Sequence, residues 1–202
     1  MSPVFHEVAQ QSISSKWLAV CAMKQRKKQG MTPKLVRYDE VSEANYIDYI
    51  SEWENHQEKV IPSAARRDGH SFLEMMKKWR EDETDIVVSK GFVPATLYFL
   101  IDDTGRILGG IHFRHYLNER LRQNGGHIGY GIRESERRKG YAHEMLKSLL
   151  EKIKELDIDK VMITCDDDNI GSAKTIEGCN GILQDKVLSE YELTRRYWII
   201  LK

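Results

Sequence analysis

Strand-like and helix-like stretches follow one another in the order β-α-α-β-β-β-α-β-α-β-β, which predicts an α/β protein built on one mixed sheet. Three observations carry that prediction. After Gly140 the apolar residues Ala142, Met145, Leu146, Leu149, Leu150, Ile153 and Leu156 recur at three-and-four spacing, the stripe of a long amphipathic helix. Ser71-x-x-Glu74 is a capping box opening a second helix pattern. Two β-prone runs, Thr96 to Ile101 and Ile107 to Leu117, flank the turn Asp102-Asp103-Thr104-Gly105 and predict an antiparallel hairpin.

The remaining elements fit between these. Leu35 to Tyr38 suits a first strand, and Ser42 can cap a helix whose inward face carries Tyr46, Ile47, Ile50 and Trp53. The capping-box helix presents Phe72, Met75, Met76 and Trp79 at helical spacing, an aromatic and methionine stripe of the kind that forms a core. Leu121-Arg-Gln-Asn reads as a loop, followed by Gly125-Gly126 and a strand from His127 to Arg133. Lys160 to Cys165 is a further strand, a short helix starts near Asn169, and Ile182 to Leu188 and Leu193 to Leu201 close the sheet. Residues 1–31 read differently: Val8 to Lys28 suits one helix ending in a basic run, stopped by Gly30. We expect an N-terminal extension over 1–31 and a single domain over 32–202.

Lys plus Arg and Asp plus Glu both number 31, and the net charge of zero argues against a dedicated nucleic-acid binder. Cys21, Cys165 and Cys179 fit no metal-ligand spacing, so no metal is expected, and so few thiols suit a cytoplasmic protein. The apolar run Trp17 to Met23 is too short to span a bilayer.

The stretch most charged with chemistry is Gly125 to Ala142, where a strand passes through a basic turn into the long helix. The first N–H groups of a helix lack internal partners, and its dipole adds positive charge there. With Arg137, Arg138 and Lys139 before Gly140, that end of the helix can cradle a phosphate. A basic surface turn is the plainer alternative, and no Walker loop is present.

Arg137-x-x-Gly140-x-Ala142 resembles the acyl-CoA signature, Q/R-x-x-G-x-G/A, of the GNAT N-acetyltransferase superfamily. Residues 93–100, 114–119, 125–131 and 164–172 are similar to blocks of one bacterial branch of predicted acetyltransferases. The resemblance implies the GNAT fold: a mixed, mostly antiparallel twisted sheet flanked by helices, with two central strands splayed to admit acyl-CoA. It implies transfer of an acetyl group from acetyl-CoA to a primary amine, by direct transfer in a ternary complex. By position, Ile132 and Arg133 would meet the pantetheine and thioester, and Arg137, Arg138, Lys139, Gly140, Tyr141 and Ala142 the diphosphate. Asn169 and Ser172 fall on the family's second cofactor motif, and they equally suit a helix cap. The loop from Glu54 to His70 would help wall the acceptor pocket.

An amine with a reference pKa of about 10.4 needs a base or a desolvating pocket before it can attack. His127 is the first choice as that base, against the alternative of a histidine satisfied within the sheet. Tyr130, His115 and Glu119 follow. The family's usual tyrosine acid falls on Ile176, which leaves open a non-catalytic acyl-CoA sensor as the rival to an enzyme, with a nucleotide-binding protein as a weaker third. Asp166-Asp167-Asp168 either attracts a cationic acceptor or forms a solvated turn. The acceptor amine and a homodimer both stay open.

Overall fold

The structure is a computed structural model that describes residues 32–188 and 192–202, so the expected helix over 8–28 lies outside the described residues. Seven strands form one sheet in the order β1-β2-β3-β4-β5-β7-β6. They are β1 (Lys34–Arg37), β2 (Ala95–Ile101), β3 (Ile107–Arg114), β4 (Ile128–Ile132), β5 (Lys160–Asp166), β6 (Ile182–Leu188) and β7 (Leu193–Ile200). Every neighbouring pair is antiparallel except β4 with β5. Between them run helices α1 (Glu43–Asn55), α2 (Phe72–Asp82), α3 (Glu119–Gln123), α4 (Tyr141–Ile153) and α5 (Ile170–Gly178). No helix among the described residues is long and apolar enough to cross a membrane.

The helices divide between two faces of the sheet, each with its own core. Strand alternation sends Ile111, Phe113, Ile128, Ile132, Ile163 and Cys165 toward α4 and α5, where Met145, Leu146, Leu149 and Ile176 meet them. The opposite parity, Val36, Leu97 and Phe99, faces α1 and α2. There Trp79 packs on Tyr38, Tyr46, Phe72 and Phe99 with ring centroids 5.3 to 6.3 Å apart. The indole N–H donates to Ala64 O at 2.8 Å and Tyr46 Oη donates to Ala65 O at 2.9 Å. Those two bonds pin the loop between α1 and α2 down toward the sheet.

Both expected caps form: Ser42 Oγ accepts from Asn45 N–H at 3.2 Å, and Ser71 and Glu74 bond reciprocally. Three boundaries differ from expectation. Strand β3 stops at Arg114, because Asn118 Oδ1 accepts from Leu121 N–H and starts α3 where a loop was expected. Helix α4 ends at Ile153, so Leu156 lies beyond the stripe and is exposed. Asp85–Lys90 forms a 3-10 helix that no periodicity announced.

Candidate active site at the opening between two strands

The two parallel strands diverge. β4 and β5 pair only at Ile128↔Ile163, and everything beyond that point toward Ile132 and Asp166 is open. The pairing with β3 fixes what β4 offers to the opening. Arg133 N–H donates to Leu108 O at 3.1 Å and Arg114 N–H to His127 O at 2.8 Å, so odd-numbered residues bond β3. Tyr130 and Ile132 therefore aim their main-chain groups at β5. Ile132 O accepts from Arg137 Nε at 3.0 Å, which leaves its N–H for a ligand.

At the head of the opening the chain turns into α4. Arg138 (φ 60°) and Gly140 (φ 85°, the N-cap) both take left-handed conformations, which swing successive amides outward. Among the described residues no acceptor is found for the amides of Arg138, Gly140, Ala142 and His143. Tyr141 lies in the same first turn and is 6% exposed. The turn is held from behind by ion pairs. Arg137 pairs with Glu58 through both terminal nitrogens and lies 5.1 Å over the Trp53 ring, and Lys139 Nζ meets Glu136 at 3.0 Å. Of the three basic side chains expected to add charge, Arg138 alone is unpaired among the described residues. The cradle is thus a main-chain device on a rigid frame, and it fits a diphosphate through N–H donors and the helix dipole.

Arg133 corrects the sequence reading. Expected among the cofactor contacts, it has odd parity on β4, which turns its side chain to the α1 face. There it is 2% exposed, with Nε 2.5 Å from Glu52 and Nη1 2.7 Å from Asp48 and 3.1 Å from Ile107 O. Against the burial that would raise it, hydrogen bonds from Arg133 and Ser135 hold the Glu52 carboxyl down at about 2.

Across the opening, Asn169 Oδ1 caps α5 by accepting from Ser172 N–H at 3.0 Å. Ser172 also meets Tyr130, whose hydroxyl lies 2.9 Å from Ser172 Oγ and 3.3 Å from Ser172 O. Burial pushes the Tyr130 phenol up to about 12, so it carries its proton at neutral pH. Ile176, at the place of the family's usual tyrosine, is fully buried in the core.

His127 sits on the closed side of the opening. Its Nδ1 accepts from Met162 N–H at 2.8 Å and its own N–H donates to Met162 O at 2.7 Å. Burial, with Arg122 and Arg114 adding repulsion, lowers its pKa to about 4. His115 lies beyond the end of β3 with Nε2 3.0 Å from Thr96 Oγ1, and Glu119 is exposed at the start of α3. Neither reaches the opening. In the acidic run, Asp167 binds Arg195 at 2.6 Å and Lys186 at 2.7 Å, tying the turn to β6 and β7.

On the other face of the sheet, under α2, lies a cleft of about 610 Å3. His112 and Arg114 form part of its floor, and Ser63, Ala64 and Lys78 contribute to its wall. Ser63 and Ala64 belong to the loop from Glu54 to His70. His112 stands opposite Gly129, the first residue of β4 beyond the last β5 pair. A side chain on Gly129 would meet the Arg114 guanidinium, with Nη2 and Nη1 3.8 and 3.9 Å away, so Arg114 stands over the start of the opening on the cleft side. The His112 ring nitrogens bond nothing among the described residues. Desolvation, then Arg114, Lys78 and His115, lowers its pKa to about 3. Sequence reading passed over His112 and Arg114. The signal was present as period-two alternation, which puts Gly110, His112 and Arg114 on one face.

Residues 36–180 match the family model described as an acetyltransferase (GNAT) domain. No curated protein matches the chain. Among solved structures it is similar to ribosomal-protein-S5-alanine acetyltransferase from Vibrio fischeri, at 17% identity over 84% of this chain and 92% of that one, with TM-score 0.57. It is similar to RimL, a ribosomal L7/L12 α-N-protein acetyltransferase in complex with coenzyme A, at 17% identity over 85% and 94%, with TM-score 0.56. A spermidine N-acetyltransferase SpeG chimera from Vibrio cholerae and hSSAT matches at 13% identity over 85% and 95%, also with TM-score 0.56. At these identities the structures establish a common fold. The family match spans most of the chain and takes in the amide turn and both strands of the opening, and the protein belongs to the GNAT acetyltransferase family.

Proposed function

We propose that the protein transfers the acetyl group of acetyl-CoA directly to an amine held in the cleft above Gly129, both substrates being bound at once. The observation that carries this reading is one of place. The gap between β4 and β5 is reached from one side by the free amides of α4, and on the other face of the sheet the cleft floor carries His112, paired with Gly129 where the gap starts.

Acetyl-CoA supplies the activated thioester. The amides of Arg138, Gly140, Ala142 and His143 hold the diphosphate, with Arg138 as the unpaired cation beside them. Ile132 N–H and the main chain of Tyr130 bind the arm as an added strand, and Asn169 and Ser172 border it from α5. The cleft governs the amine's proton. Arg114 and Lys78 repel a proton on His112, and they act in the same sense on a bound ammonium, favouring its neutral form. His112, neutral throughout the physiological range, accepts a hydrogen bond from the amine and orients it. As nitrogen bonds to the acyl carbon and the carbon–sulfur bond breaks, nitrogen gives up one proton to water or His112. Sulfur takes one proton from Tyr130, which stands where Ile176 cannot serve. His127 closes the seam and does not act as base in this scheme.

Thiol release from acetyl-CoA with a panel of amines tests the reading. The wild type should turn over at least one amine, with Tyr130→Phe and His112→Gln each lowering kcat about 100-fold and leaving acetyl-CoA affinity near normal. Tight acetyl-CoA binding without turnover of any amine would instead make the protein an acyl-CoA sensor.

A further inference from the structure

The cleft contains a half-buried cation with no counter-ion among the described residues. Arg114 sits on its floor, and among the described residues no Asp or Glu lies within ion-pair distance of the guanidinium. Burial, then repulsion from Arg120, lowers its pKa. Taking a charge out of water without a partner is costly, so this arrangement points to a partner that arrives from outside.

The guanidinium is positioned by its back edge. Nη1 donates to Gly125 O at 2.8 Å and to Gly126 O at 3.1 Å. Nε and Nη2 bond nothing among the described residues, and together they form the side of the fork that binds a carboxylate with two parallel hydrogen bonds. Nη2 and Nη1 lie 3.8 and 3.9 Å from where a side chain on Gly129 would begin, so the guanidinium stands over that residue. The other charges of the cleft do not compensate. Asp82 is held by Lys78 at 3.0 Å, and Glu81 faces Lys77 at 3.9 Å. Lys90 and Arg120, also in the lining, have no acidic partner among the described residues. A polyamine would meet this surface as like charge.

We propose that the acceptor is a small amine carrying a carboxylate a few bonds from its nitrogen, as in a free amino acid, with the carboxylate seated on Nε and Nη2 of Arg114. This identification rests on the acetyl-transfer reading above and adds the acceptor class to it. An α-carboxylate on that edge leaves the α-nitrogen beside His112, the cleft residue paired with Gly129 at the start of the gap. Arg114 then selects the acceptor and fixes its orientation, while Lys90 and Arg120 draw the anion in.

The test compares thiol release with a panel of L-amino acids, their carboxamides, the corresponding decarboxylated amines, spermidine and a hexapeptide. Free amino acids should exceed their carboxamides about 10- to 100-fold in kcat/KM, the range expected for a charge-assisted pair. Arg114→Lys, which keeps the charge but loses the fork, should shrink that ratio through KM rather than kcat. Arg120→Glu, on the exposed rim, should shrink it with the fold undisturbed. Turnover confined to spermidine, the hexapeptide or the carboxamides overturns the proposal and leaves acetyl transfer standing. So does a ratio unchanged in both variants. If no amine is turned over, acetyl transfer itself fails. Calorimetric titration of amino acids into the CoA-saturated protein then decides the carboxylate site: binding weakened by Arg114→Lys upholds it, and no binding overturns it.

Discussion

On the α4 side of the strand opening, the basic side chains Arg137 and Lys139 are already paired, and the main-chain amides are free. On the cleft side the roles are exchanged. The backbone of β3 is taken up by the sheet ladder on both sides, while the side chains of His112 and Arg114 face open space. The first arrangement suits a ligand common to the whole family, because amides cannot be altered by substitution. The second leaves the acceptor to a few replaceable side chains on a fixed floor.

The largest expected effect breaks the main-chain half alone. Gly140→Glu forces a side chain onto a residue at φ 85° and puts a carboxylate in the cradle. Calorimetry should show CoA binding weakened about 100-fold or more, with the thermal transition retained. Near-normal affinity in the folded variant would remove the cradle from the account.

Arg133→Ala separates structure from ligand binding in the same turn. It strands Glu52, a carboxylate otherwise held at about 2, and should cost about 3 kcal/mol in urea unfolding. CoA affinity in the folded protein should stay within a factor of about three. A large loss of affinity would restore Arg133 to the cofactor contacts.

The closed end of the seam is sharpened by pH. His127 has a folded pKa of about 4 against an ordinary 6.5, so the unfolded chain binds the extra proton between those values. Stability from this group is complete above pH 6.5, falls as pH drops through the window, and falls no further below about 4. His127→Asn keeps an acceptor for Met162 N–H but does not titrate. The pH slope of stability there should drop by up to about 1.4 kcal/mol per pH unit. An unchanged slope would mean that the imidazole is not buried in its neutral form.

The smallest effect belongs to Arg137, the residue that heads the sequence signature. Its fork is spent on Glu58 and Ile132 O, so Arg137→Gln should loosen the turn and weaken CoA binding only about three- to tenfold. A loss as large as that of Gly140→Glu would show that Arg137 leaves Glu58 to bind phosphate.

These contrasts mark how far the sequence could be read. The α4 stripe, both helix caps and the glycine before α4 are local patterns, and each appears where spacing placed it. The turn before α4 was legible for the same reason, since amides left over at a helix start depend on the helix and the turn alone. Arg133 was misplaced because its role depends on strand parity and on Glu52, 81 residues away in the chain. His112 and Arg114 were missed because their importance comes from what is absent around them. The loop pinned by Trp79 and the pairing of Asp82 with Lys78 both come from distant parts of the chain.

The most direct measurement follows backbone amide resonances while CoA is titrated into 15N-labelled protein. The amides of Arg138, Gly140, Ala142 and His143 should show the largest downfield shifts, and pantetheine, which lacks the diphosphate, should leave them unmoved. Saturable CoA binding with those resonances unchanged would contradict the account.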